Sequence, residues 1–273
     1  MRIKISHQTT FSYAPAARSI IQNLRLTPRS FESQYVLRWR VGVDVDCSLR
    51  QSEDSLGNVV HAFSYQGAIE RFTISAVGEV AATDAVGVVR GAVEPLPAQM
   101  FLRASPLAQA NGALREFALE AVGAASDPIE RLHLLMNAIH TAMAFEPQAS
   151  EAKGAAAEAF ALRRGGAQDY AHVFIACARR LGVSARFVSG YLVPRDAPPP
   201  QGLYAWAEAE APGLGWIAFD PVRDQCADGT YVRVAVGFDA LGAAPFRVAQ
   251  SGGGGETVAA AVMIEQAAGQ SQS

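Results

Sequence analysis

The sequence predicts an α+β protein with a β-rich first half. Three observations carry this. Apolar and polar residues alternate through most of the first 82 positions. Between residues 107 and 182 the apolar spacing changes to that of amphipathic helices. Two β-rich runs, Tyr204–Glu210 and Trp216–Phe219, flank the turn Pro212-Gly213-Leu214-Gly215, a hairpin signal.

In the first half, Ile3 and Ile5 alternate with Arg2, Lys4 and Ser6. Tyr35, Leu37, Trp39, Val41, Val43 and Val45 are placed on one strand face, with Arg38, Arg40, Asp44 and Asp46 on the other. Leu56-Gly57-Asn58 reads as a turn, with Asn58–Tyr65 and Arg71–Val80 as further strands. Several short strands separated by turns suggest an antiparallel, sandwich-like domain over residues 1–95. Thr83–Gln99 has no clear period and reads as the connector to a core domain over residues 96–265.

That core opens with a helix expected over Leu107–Val122. The next is better signalled: Asp127 can cap it, Pro128 suits its first position, and Glu130 completes a capping-box arrangement. Ile129, Leu132, Leu135, Met136, Ile139 and Met143 form its apolar stripe, leaving His133 and His140 as flanking surface histidines. Ala155–Arg164 reads as a short helix. Gly165-Gly166 then breaks the chain before a helix with Ala171, Phe174, Ile175, Ala178 and Leu181 on one stripe, closed by Gly182. Ala185–Leu192 is a buried strand, Pro194–Gly202 a surface loop, and Val232, Val234 and Val236 one face of a further strand. Gly252–Gly255 is a flexible turn or linker, Thr257–Ile264 a last strand, and 266–273 a disordered tail.

Composition narrows the function. Of 273 residues half are hydrophobic, and the net charge is −3, which gives no electrostatic case for a nucleic-acid or anionic-membrane partner. No apolar run approaches a membrane span, and the N-terminus lacks the hydrophobic block of a signal peptide. Cys47, Cys177 and Cys226 make no disulfide or metal spacing, so a cytoplasmic protein without metal or cofactor is expected.

The chemistry-bearing stretch is Arg163–Tyr191. A Gly turn followed by a helix N-terminus gathers backbone N–H groups and the positive end of the helix dipole, where a thiol would ionise readily. The residue at that spot is Ala167, which carries no nucleophile.

The stretch resembles the nucleophile helix of bacterial transglutaminase-like proteins, a papain-like superfamily using Cys, His and Asp. Its motif there reads roughly G-V-C-Q-D-F-A-H, then A-R-Y-V-S-G-Y. Gln168, Asp169, Ala171, His172, Arg186, Val188, Ser189, Gly190 and Tyr191 fall in register, and the family Cys falls on Ala167. A second block, Leu203–Pro221, is similar to H-A-W-V-E-x-x-x-P-G-x-G-W-x-x-F-D-P. Here Trp206, Glu208, Pro212, Gly213, Gly215, Trp216, Phe219, Asp220 and Pro221 match, and the family His falls on Tyr204. Leu24–Arg29 and Asp54–Asn58 resemble the family's N-terminal domain and read as turn-bounded scaffold.

The resemblance implies a sandwich-like N-terminal domain and a core of helices packed on an antiparallel sheet. It also implies a degenerate triad at Ala167, Tyr204 and Asp220, with Gln168, Asp169 and Trp206 as candidate cleft lining. In the family the thiolate attacks an amide and His shuttles the proton. Losing either group costs about a millionfold in kcat, and a tyrosine, with an ordinary pKa of about 10, is no base at neutral pH. The expectation is an inactive relative that keeps its cleft for a peptide, a protein side chain or an active relative. Family members are often encoded beside ATP-grasp-like and helical α-E-type proteins, which implies a peptide-handling assembly. The alternative is a thiol amidase or acyltransferase with a displaced nucleophile, for which Cys226 is the best-placed residue. Cys177 lies roughly 15 Å down the helix and reads as a small buried residue. Tyr204 is expected to donate its O–H to Asp220.

Overall fold

The computed structural model describes residues 1–147, 155–193 and 202–266. It is α+β, built on two six-stranded, antiparallel sheets.

The first sheet is organised by two long strands, β1 (Arg2–Thr27) and β4 (Val59–Ala82), paired along most of their length. Two continuous ribbons thus replace the several short strands expected. Their register breaks between Ser12 and Ala17. Phe11 and Phe72 from one half and Ile20, Leu24 and Phe63 from the other share one apolar cluster. β2 (Gln34–Val43) and β3 (Arg50–Glu53) line the outer edge of β4.

The face assigned to β2 needs correction. A bulge between Val36 and Arg38 makes Leu37 the extra residue. Gln34 is buried and Val36 half-buried before it, Trp39, Val41 and Val43 turn inward after it, and Tyr35 and Leu37 are exposed. One inserted residue switches the face on which a period of two lands.

After the connector, whose β5 (Val88–Val89) joins the second sheet, come α1 (Gly112–Val122) and α2 (Pro128–Ala142). α1 starts later than expected because the Asn111 side chain caps it by accepting from Leu114 N–H at 3.0 Å. Asp127 caps α2 through the N–H groups of Ile129 and Glu130, as read from the sequence. β6 (Ala144–Phe145), α3 (Ala156–Leu162) and β7 (Arg164–Gly165) lead into α4 (Ala167–Arg180). Asp169 to Arg179 are all buried, so α4 is the central helix and not merely amphipathic. The second sheet runs β11 (Gln225–Cys226), β10 (Gly215–Asp220), β9 (Tyr204–Ala211), β8 (Ala185–Leu192), β12 (Tyr231–Gly237). In β12 a bulge between Arg233 and Ala235 sends Val236 to the opposite face from Val232 and Val234, against the simple alternation expected.

The chain then returns to the first sheet. β13 (Phe246–Gly252), which the sequence did not signal, and β14 (Thr257–Gln266) both pair with β1. The stretch 246–265 therefore pairs with the N-terminal strands of the first sheet. Gln266 ends β14 and is not tail. The remaining tail and the loop from Pro194 to residue 201 lie outside the described residues.

Candidate functional site

The Gly pair fixes the start of α4. A Cβ on Gly165 would sit 2.7 Å from the Asp169 carboxylate, so only glycine fits there. That carboxylate accepts from Gly166 N–H at 2.9 Å and caps the helix. Asp169 is thus a buried, helix-capping group. Its own pKa is raised by burial, against the lowering effect of the Gly166 bond. Ala167 and Gln168 form the first turn and are half-buried.

Alternation along β9 separates two chemistries. Ala205, Ala207 and Ala209 pack in the same core as α4. Tyr204, Trp206 and Glu208 project from the other face of the sheet, where Tyr204 and Trp206 cluster with Val188, Ala218 and Tyr231. Ala167 touches both clusters, so its methyl group sits where the helix start meets the tyrosine-lined face.

On that face Asp220 is fully buried and both its oxygens are engaged. Tyr204 donates its hydroxyl at 2.9 Å to Oδ2 and lies 3.2 Å from Oδ1. Tyr231 donates at 2.6 Å to Oδ2, and Val222 N–H at 3.0 Å to Oδ1. Burial raises the Asp220 pKa, while the two tyrosines, Val222 and the nearby Arg223 charge work against the rise. Burial and the Asp220 charge drive the Tyr204 and Tyr231 pKa values upward. Both phenols stay protonated as donors, and neither serves as a base. Sequence reasoning found the Tyr204–Asp220 pair and missed Tyr231, which stands alone before an apolar strand with no motif around it.

Beside this cluster, Glu208 is fully buried and bonded to Arg186 at 2.6 Å and Arg233 at 2.8 Å. Its burial would raise the pKa, but Arg233 and Arg186 hold it down to about 2. Arg186 continues to Glu94 of the connector and stacks 3.9 Å over Trp216. A cavity of about 40 Å³, room for one or two small groups, opens between Phe31, Gln34, Val88, Trp206, Tyr231 and Arg233. Among the described residues, the buried indole N–H of Trp206 has no partner. Packing of its benzo edge explains Gly190, where a Cβ would lie 2.5 Å from that ring and 2.2 Å from the Val232 carbonyl.

The cysteines stand apart from Asp220. Cys226 pairs with Phe219 across β10 and β11, so its side chain lies on the Phe219 side of the sheet, opposite Asp220. Burial pushes its thiol up to about 11. Cys177 is fully buried, contacts the Leu114 carbonyl and is raised by burial to about 12. Burial and Asp46 also raise Cys47. Among the described residues, no three His, Cys, Asp or Glu side chains are grouped to hold a metal ion, and no helix is long and apolar enough to cross a membrane.

Comparison with known proteins agrees with this fold. An uncharacterized protein of Mycobacterium tuberculosis H37Rv is 27% identical over 273 residues, covering 90% of this chain and 86% of the relative. One from Mycobacterium leprae is 26% identical over 286 residues, covering 98% and 99%. A crystal structure described as a proposed cysteine protease of Cytophaga hutchinsonii shares the fold at a TM-score of 0.75 and 21% identity, over 96% of this chain and 91% of that one. The bacterial transglutaminase-like N-terminal region matches residues 3–81, and the transglutaminase-like superfamily matches residues 115–221. Residues 115–221 thus belong with the transglutaminase-like superfamily and residues 3–81 with the bacterial transglutaminase-like N-terminal region.

Proposed function

We propose that this protein is a transglutaminase-like relative without thiol catalysis. Its former cleft binds a peptide, a protein side chain or an active relative. One observation carries the reading. Where the family chemistry needs a thiol, a base and an orienting carboxylate, this chain has the Ala167 methyl and a buried Tyr204–Asp220–Tyr231 cluster in which both carboxylate oxygens accept hydrogen bonds. A protonated tyrosine donates and cannot take a proton from an incoming nucleophile. The mixed walls, with Phe31, Val88 and Trp206 beside Gln34 and Arg233, and the unpartnered Trp206 N–H suit recognition of a small group bearing a hydrogen-bond acceptor.

Cys226 as a displaced nucleophile is the competing reading. Its raised pKa and its place on the far side of β10 from Asp220 count against it.

Site-resolved alkylation tests this choice. Iodoacetamide labelling of Cys47, Cys177 and Cys226 is followed by peptide mass spectrometry from pH 5 to 9. All three are expected to label slowly at pH 6, with rates still rising at pH 9. Rapid labelling of any one of them at pH 6 overturns the reading. Fluorescence polarisation of a labelled glutamine-containing peptide tests binding, which should survive replacement of all three cysteines by alanine. Peptide cleavage lost in that variant would restore the enzyme.

A further inference from the structure

Among the described residues, the first sheet leaves the outer edges of β2, β3, β13 and β14 free, and the first three carry a recognisable guard. β2 has Arg38, Arg40 and a bulge. β3 is four residues long, with Arg50 and Glu53 at its ends. β13 carries Arg247 and faces a register break in β1. Charges, bulges and short length are the means by which sheets keep foreign strands from adding to their edges.

β14 lacks them over Thr257–Ile264, its one charge, Glu265, lying next to its C-terminal end. It pairs with β1 from Ile3 to Ser12 without interruption. From Thr257 to Ile264 it contains no charge, proline or glycine. Val258 is 54% and Met263 64% exposed, and Ala259, Ala260 and Ala261 are exposed. Among the described residues, nothing pairs with its outer edge.

We infer that β14 is the dimer seam of this protein: two copies add their β14 strands edge to edge, antiparallel, across a two-fold axis at Ala261. The sequence of the strand selects this register. For the outer face of the sheet to continue across the seam, paired residues must share a parity. With Ala261 opposite itself, Ala260 meets Val262, Ala259 meets Met263 and Val258 meets Ile264. Each bulky residue in the first two pairs faces a small one, and Val258 gains an apolar neighbour. The acidic ends fall on polar partners, Glu265 on Thr257 and Glu256 on Gln266. The neighbouring register, centred on Ala260, sets Glu256 against Ile264 and buries a charge for nothing. Each backbone group facing outward finds its mate in the second copy, and the two first sheets become one continuous sheet.

The test is a charge swap at the axis. In Ala261→Lys the two introduced ammonium groups face each other across the seam, and in Ala261→Glu two carboxylates do. Ala261 is exposed, so neither change disturbs the fold, and unchanged circular dichroism and melting at low concentration verify that. Sedimentation velocity should give a dimer for the full-length protein, monomers for each variant alone, and a dimer again when the two variants are mixed. Amide exchange of residues 257–265 should be slow in the wild type and faster in Ala261→Lys. A monomeric wild type, or a dimer indifferent to either variant, overturns the seam. Two monomeric variants that fail to associate when mixed overturn the Ala261 register.

Discussion

Asp220 shows how a position associated with catalysis becomes structural. A carboxylate taken fully out of water is tolerated only if its lone pairs are met. Here two phenols and a backbone N–H meet them. The arrangement also fixes what each substitution does. Tyr204→Phe deletes one donor and leaves Tyr231 and Val222 in place, a change of about 1 kcal/mol. Asp220→Ala leaves two buried hydroxyls and an N–H without their acceptor, and should cost about 3 kcal/mol or more at roughly 1–3 kcal/mol per stranded group. Urea unfolding monitored by near-ultraviolet circular dichroism measures both. If Asp220→Ala unfolds at the wild-type denaturant concentration, the cluster does not hold this face together. The Tyr204–Asp220 bond was legible in the sequence because two motif positions adjoin on neighbouring strands. Tyr231 was not, since its contact depends on the turn through residues 221–230 bringing β12 back, which no local pattern encodes.

At the scale of elements, what could be read were the caps and periods, and what could not were the irregularities. Asp127, Pro128 and the Gly pair act locally on the residues beside them, so the starts of α2 and α4 fell close to where the sequence placed them. The bulges in β2 and β12 are choices made between two strands, and each overturned a face assigned by alternation. β13 escaped notice because it is stabilised by β1, more than two hundred residues away. The Asp54–Asn58 turn shows a local motif doing long-range work. Asp54 accepts from the N–H groups of Leu56 and Asn58. So held, the Asn58 carboxamide donates to the Val236 carbonyl at 2.9 Å and accepts from Val236 N–H at 2.8 Å. It takes the place of a neighbouring strand beside the bulged β12, and the reading of this motif as scaffold agrees with these bonds. Asn58→Ala should therefore destabilise the protein by about 3 kcal/mol, through two buried backbone groups left unmet. Hydrogen exchange at the Val236 amide should accelerate with it. Unchanged exchange there would mean that β12 holds its place without the turn.

For the whole molecule, the question is what binds the first sheet to the core. The Gln34 carboxamide donates to the Arg233 backbone carbonyl and accepts from the Arg233 backbone N–H, and the Asn58 carboxamide does the same at Val236. The third tie is titratable. His7 on β1 is buried, with Nδ1 2.9 Å from the Tyr191 hydroxyl on β8 and Nε2 3.0 Å from Thr9 Oγ1. The hydroxyls can serve either neutral tautomer, but burial penalises the imidazolium and lowers the pKa from 6.5 to about 4. The unfolded chain therefore binds a proton that the folded chain resists, and the stability present above pH 6.5 is lost as the pH falls toward 4. One group shifted by that much accounts for at most about 3 kcal/mol. Carboxylates such as Glu208, held low in the fold, add their own loss at more acidic pH, so the His7 share must be isolated by difference. His7→Gln keeps a donor and an acceptor in place but cannot titrate. Its melting temperature should fall less than the wild type's between pH 7 and pH 5, and the two curves should run parallel above pH 7. Parallel curves through the whole range would show that the imidazole is already free to protonate in the folded protein, and that the joint between β1 and β8 is open to water.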